Sequence, residues 1–163
     1  MKIHKTAISQ CVWTEPTRHT DDRGMFSEIF KYNDNTIPFK SVQSNYSFSK
    51  TGTLRGAHRT PYAKYVTCVR GEIYDVCIDL RPESKTYQKH FSILLNENIL
   101  NGLYIPPYCG HVFLAIKDSI IIYQQSNQYN SALNEIYCYK NYNINWPIEI
   151  LHISDQDSKV CLL

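Results

Sequence analysis

Apolar and polar positions alternate with a period of two through the middle of the chain. Tyr74, Val76, Ile78 and Leu80 interleave with Ile73, Asp75, Cys77 and Asp79, the repeat of an extended strand whose successive side chains point to opposite faces. An apolar run over residues 65–69 precedes it, and Arg70-Gly71-Glu72 between the two reads as a tight turn. Residues 91–95, 103–105, 112–116 and 120–125 are predicted as further short strands. Turn signals separate them at Arg81-Pro82-Glu83-Ser84, residues 96–102, residues 106–110 and Lys117-Asp118. Helical periodicity is nearly absent, and only residues 96–101 are expected to form a short helical turn. Short strands punctuated at this spacing predict an all-β sandwich or barrel. A jelly roll with little helix, formed by one domain over 1–163, is the natural solution, and it leaves a cavity at the barrel mouth.

Composition narrows the partners. The chain has 163 residues, 43% of them hydrophobic and 20% charged, values of an ordinary folded domain rather than a disordered one. Its formal net charge of +2 is too small to make nucleic acid or an acidic membrane the main partner. Any bound anion must therefore meet a local cluster of positive charge. No apolar run reaches bilayer-spanning length, and the basic start Met1-Lys2-Ile3-His4-Lys5 is not followed by the apolar block of a signal peptide. The six cysteines are scattered, without a C-x-x-C pair, and Cys68 and Cys77 sit in apolar strands where thiols act as small hydrophobes. Free thiols and a cytoplasmic setting are expected.

Four constellations carry candidate chemistry. In Leu54-Arg55-Gly56-Ala57-His58, followed by Lys64, a histidine suited to proton abstraction near neutral pH is accompanied by two cations. That company fits a developing enolate or a phosphate; a solvated basic patch is the plainer alternative. Pro106-Pro107-Tyr108-Cys109-Gly110-His111 adds a second histidine, either a substrate hydrogen-bonder or a structural residue. Metal-binding cupins carry H-x-H, a following Glu and a third His. Here Arg59 and Thr60 follow His58, so no catalytic metal site is expected. In the stretch over residues 121–129, an extended chain puts Tyr123, Gln125 and Asn127 on one face, compatible with a phenol in a polar interior or with an ordinary strand edge. Finally, Ser154-Asp155-Gln156-Asp157 reads as a helix cap or solvated turn, or as the source of a carboxylate that orients a histidine.

The motifs also fall into a familiar order. Asp22-Arg23-Gly24-Met25-Phe26-Ser27-Glu28 resembles the D-x-R-G-x-F-x-E opening of the dTDP-4-dehydrorhamnose 3,5-epimerase family, nucleotide 4-keto-6-deoxysugar epimerases of the cupin superfamily. Gln43-Ser44-Asn45 resembles their Q-x-N, and Leu54-Arg55-Gly56-Ala57-His58 their L-R-G-x-H. Residues 64–81 are similar to K-x-V-x-x-x-x-G-x-x-x-D-V-x-x-D-x-R, and Tyr104-Ile105-Pro106, Gly110-His111-Val112-Phe113, Asn145-Trp146-Pro147 and Ser154-Asp155-Gln156-Asp157 complete the series. The resemblance implies a cupin-type jelly roll that epimerises C3 or C5 of a nucleotide-linked sugar without cofactor or metal. It implies His58 as general base, Asp157 as the carboxylate orienting it, Lys64 as the cation at the keto oxygen and Tyr123 as general acid. It further implies Tyr129 as a base-stacking aromatic and Arg23, Glu28, Gln43, Asn45, Arg55 and His111 as substrate contacts. The implied partners are a nucleotide-diphosphate sugar and a second copy of the chain in a homodimer.

Two other functions compete with this one. A 3,4-ketoisomerase on the same fold shows R-G-A-H with a second histidine, whose place Thr60 occupies. A non-catalytic sugar-nucleotide-binding cupin would have no need of the combined His58, Lys64, Tyr123 and Asp157 set.

Overall fold

The computed structural model describes residues 1–32, 37 and 40–162. In chain order its strands are β1 (Lys2–Lys5), β2 (Val12–Glu15), β3 (Arg18–Asp21), β4 (Gly24–Ser27), β5 (Gln43–Ser49), β6 (Leu54–Arg59) and β7 (Lys64–Arg70). They continue as β8 (Glu72–Asp79), β9 (His90–Asn96), β10 (Gly102–Ile105), β11 (Cys109–Ala115), β12 (Ser119–Gln125) and β13 (Glu135–Ile136). A six-stranded sheet runs β1-β2-β10-β7-β12-β5, a five-stranded sheet runs β13-β6-β11-β8-β9, and β3-β4 form a separate hairpin. The pairings are antiparallel, and the two large sheets form the expected jelly-roll sandwich.

Alternation along β8 sorts its residues onto two faces. Ile73 and Cys77 join Val66, Cys68, Leu103, Phe113 and Ile121 in the core between the sheets. Val76, Ile78 and Leu80 lie on the outer face with Leu54, Val112 and Leu114. That outer face is not left to solvent. The C-terminal segment crosses it, packing Tyr137, Tyr139, Tyr142, Ile144, Trp146, Ile148, Ile150 and Ile153 over the sheet, with Trp146 edge-on to Tyr74 and Tyr139. Covered on both faces, β8 and β11 are buried along nearly their whole length, their polar Asp75, Asp79 and His111 included. This cover also absorbs several of the 13 tyrosines.

The short helical turn expected over residues 96–101 is present: Leu100 N–H closes a single turn on the Asn96 carbonyl at 2.8 Å, while the Asn96 side chain accepts the Asn98 and Ile99 amides and competes with any extension. An α-helix, α1 (Asp155–Lys159), forms behind the Ser154 cap. Two expectations are corrected. The predicted strand over residues 112–116 begins earlier, at Cys109, because Cys109 and Gly110 pair with Asp79 and Ile78. The cysteines are not all thiols: Cys138 and Cys161 form a disulfide with Cα atoms 4.8 Å apart, while Cys11, Cys68, Cys77 and Cys109 are free and buried. The two paired cysteines lie outside the apolar strands and are brought together by the returning chain, which their spacing does not reveal. Among the described residues no helix is long and apolar enough to cross a membrane.

One close contact ties the outer face of the six-stranded sheet together. The Tyr65 hydroxyl lies 2.5 Å from Thr14 Oγ1 and donates to the Ile29 carbonyl at 2.8 Å, and the ring rests directly over Gly102, where a Cβ would overlap it. Gly102→Ala is expected to force the Tyr65 ring aside and to cost about 1–3 kcal/mol, the range for overpacking a filled site. A lowered urea midpoint at unchanged slope checks this, and an unchanged midpoint refutes it.

Candidate active site

A cavity of about 510 Å³ opens between the sheets. His58 on β6 and His111 on β11 enter it from the five-stranded sheet, as direct cross-strand partners. Lys64 on β7 and Tyr123 on β12 enter from the six-stranded sheet, where Lys64 pairs with Gln125, two residues from Tyr123. The strand period puts both on the inward face. Arg55 also lines the cavity, holding Ser49 Oγ at 3.0 Å and the Phe48 carbonyl at 3.2 Å.

His58 Nε2 lies 2.7 Å from Asp157 Oδ1. The other carboxylate oxygen accepts the Gly56 amide at 3.2 Å. Gly56 has φ +119°, and a Cβ there would run into the β11 backbone at His111 and Val112, so only glycine brings this amide to the carboxylate. On its own side Asp157 is fixed by α1, its amide donating to the capping Ser154 Oγ at 3.1 Å. Ser154-Asp155-Gln156-Asp157 is thus both a helix cap and the source of the carboxylate hydrogen-bonded to His58. Burial pushes the Asp157 carboxyl up, but hydrogen bonds from His58 and Gly56 outweigh it and leave the group below its ordinary value.

A second carboxylate supports the other cavity histidine. His111 Nε2 is 2.6 Å from Asp75 Oδ1, and Asp75 is fully buried with its Oδ2 unbonded among the described residues. Lys64 is 7% exposed; burial pulls its ammonium down to about 8, against the opposing pull of the Asp75 charge. Burial pushes the Tyr123 phenol up, so it keeps its proton at neutral pH. Asp75 is absent from the expected site residues; its signal in the sequence is an acid between Tyr74 and Val76 on the face shared with Ile73 and Cys77. Among the described residues no three His, Cys, Asp or Glu side chains gather as metal ligands; the two cavity histidines each face a carboxylate instead.

Comparison with known proteins places this geometry. The sequence profile described as dTDP-4-dehydrorhamnose 3,5-epimerase matches residues 5–163. The chain belongs to the dTDP-4-dehydrorhamnose 3,5-epimerase family. A relative of that name from Mycolicibacterium smegmatis is 36% identical, the match covering 98% of this chain and 84% of the relative. The structure of the Legionella pneumophila enzyme in complex with dTDP-4-keto-L-rhamnose superposes with TM-score 0.91 at 28% identity, over 97% of this chain and 90% of that one. A 3'-monoepimerase from Streptomyces bikiniensis in complex with dTDP-quinovose gives TM-score 0.90 at 28% identity, over 96% and 85%.

Of the residues matched to the epimerase motifs, the fold gathers His58, Lys64, Arg55, His111, Tyr123 and Asp157 around one cavity. The remainder lie apart from its walls. Gln43, Asn45 and Gln125 form a hydrogen-bonded chain with links of 2.6 Å, and Gln43 Oε1 accepts the Tyr129 amide at 2.8 Å. Tyr129 itself is exposed in the loop after β12. Arg23 is held by Asp21 at 2.6 Å on the β3-β4 hairpin, and Glu28 pairs with Lys31; neither reaches the cavity of its own chain. The electrostatics of the gathered set can be checked directly. In a spectrum of ¹³C-labelled lysines, Lys64 is expected to titrate near pH 8, and Asp75→Asn should move its midpoint lower by removing the anion that holds the proton on. A Lys64 midpoint at the ordinary lysine value, or one unmoved by the substitution, is inconsistent with this arrangement.

Proposed function

We propose that the protein inverts C3 and C5 of a dTDP-linked 4-keto-6-deoxyhexose by proton abstraction and reprotonation through an enolate. The observation that carries this reading is that the His58–Asp157 pair and Tyr123 enter one cavity from opposite sheets, with the buried cation of Lys64 lining the same cavity. A proton on carbon beside a ketone becomes acidic only when charge on the oxygen is stabilised, which is the role assigned to Lys64. His58 takes the proton, Asp157 orients the ring and stabilises its protonated form, and Tyr123 returns a proton to the opposite face. The electron pair goes back to the carbon it left, so the reaction requires no redox cofactor. Arg55 is assigned to the diphosphate and His111, oriented by Asp75, to the sugar. Family membership supports the substrate, since the Legionella pneumophila enzyme forms a complex with dTDP-4-keto-L-rhamnose.

Arg23, Glu28 and Tyr129 fit this reading best in a homodimer in which the β3-β4 hairpin reaches the neighbour's nucleotide. Two features support it: Met25 and Phe26 on the hairpin and Tyr46 and Phe48 on β5 are exposed, and among the described residues β5 is the last strand of its sheet. Mixing Arg23→Ala with His58→Ala protein is expected to restore activity to part of the population, because a mixed dimer contains one intact site. A mixture that stays inactive after proven subunit exchange argues against shared sites.

The chemistry is tested in heavy water by NMR of a dTDP-4-keto-6-deoxyhexose. Deuterium at both C3 and C5 is expected, whereas deuterium at C3 alone marks a monoepimerase. Tyr123→Phe removes the donated proton but not the ring. Exchange should continue with the starting configuration, while epimerised product falls by roughly 10²–10⁴-fold. His58→Asn should abolish both. Undiminished epimerisation by the Phe variant would show that Tyr123 only packs.

A further inference from the structure

The Cys138–Cys161 disulfide joins the two pieces of chain that flank His58. On one side, β13 pairs Ile136 with His58, and Tyr137 and Ala57 exchange backbone hydrogen bonds at 2.9 and 3.4 Å; Cys138 follows at once. On the other side, Cys161 lies four residues beyond Asp157, just past the end of α1. That helix has five residues, too few to be stable by itself. Before it, the chain is tied down: Leu54 N–H donates to the His152 carbonyl at 2.8 Å, and Ile153 packs on the outer core. After Asp157 it is not. Among the described residues, the hydrogen bonds of Ser158, Cys161 and Leu162 stay within the segment, to Ser154, Asp155, Ser158 and Lys159. The disulfide is what fastens the far end of this helix to the body of the fold.

We propose that Cys138 and Cys161 are positioning residues, whose disulfide holds the Asp157 carboxylate against His58 and so makes proton abstraction depend on thiol redox state. The consequence for turnover rests on the epimerase reading above; the positioning itself does not. Opening the link is a two-electron step. A dithiol attacks one sulfur, a mixed disulfide forms, and the second dithiol sulfur displaces it, leaving two protein thiols and an oxidised dithiol. Cys138 and Cys161 are both partly exposed, and the other four cysteines are buried and already reduced. Mild reduction therefore acts on this pair alone. Reduction leaves the Gly56, Ser154 and His152 contacts in place, so the carboxylate loosens rather than leaves.

The test compares air-oxidised protein, the same protein after dithiothreitol, and Cys161→Ser. Reduction is expected to lower kcat by roughly tenfold with KM changed by less than about twofold, well short of the ~10⁴ loss seen when an orienting carboxylate is neutralised. Reoxidation should restore the wild-type chain but not Cys161→Ser, which should match the reduced protein. Asp157→Asn should be slow in both redox states and insensitive to reductant, a non-additivity that a general loosening of the fold would not produce. Amide exchange at residues 154–162 should quicken on reduction, and this readout needs no substrate. Equal kcat and equal exchange in the two states, with the disulfide verified by mass spectrometry, overturn the proposal, as does a loss carried by KM or the finding of two free thiols after treatment with oxidised glutathione. If neither form turns over a sugar nucleotide, the epimerase reading fails, while redox-dependent exchange protection still supports the clasp and its absence still removes it.

Discussion

The buried Asp157 carboxylate is the contact on which the arrangement of the site depends. It is 3% exposed, and a carboxylate taken out of water costs several kcal/mol unless donors replace the lost solvent. Here the donors are the His58 imidazole and the Gly56 amide, both on β6. Satisfying them requires that the C-terminal segment travel over the outer face of the five-stranded sheet and arrive beside that strand. The aromatic and aliphatic side chains packed along the way, from Tyr137 to Ile153, make that path favourable independently of the carboxylate. Burial of the outer core and orientation of the histidine are therefore achieved by the same piece of chain.

The interior of the sandwich is not uniformly apolar. Asp75, Asp79, Lys64 and Asp157 are all buried, and each is compensated differently. Asp79 is saturated by Arg81, Ser84 and Thr86, which holds its carboxyl well below the ordinary range despite burial and pins the loop after β8. Asp75 is left with one free oxygen and a buried lysine nearby. The first is a finished structural network; the second stands behind His111, which lines the cavity, and keeps one oxygen unbonded among the described residues.

Relatives at about a third identity share this fold across nearly the whole chain. Such agreement follows from the way the site is constructed. Its residues are spread over β6, β7, β11, β12 and α1, and no fragment contains a working set, so the sandwich must be kept whole for the cavity to exist. The Cys138–Cys161 link lies outside that common requirement, at the joint between the C-terminal segment and β6.

Strands were legible in the sequence wherever period-two alternation or an unbroken apolar run was long enough to register, as in β7, β8, β9, β10 and β12, because side-chain direction along a strand is a local property. The order of short motifs carried the candidate residues, since each was read with its neighbours. Four-residue strands such as β3 and β4, exposed throughout most of their length, carry no such signal. The family resemblance implied that Asp157 meets His58, across 99 positions; what the tertiary structure alone decided were the meetings of His111 with Asp75 across 36 positions and of Cys138 with Cys161. It also decided that Arg23 and Glu28 stay outside the cavity of their own chain. Local patterns record which face a side chain takes. Which distant group it meets there depends on the path of the intervening chain, and that path is set by the packing of both sheets at once.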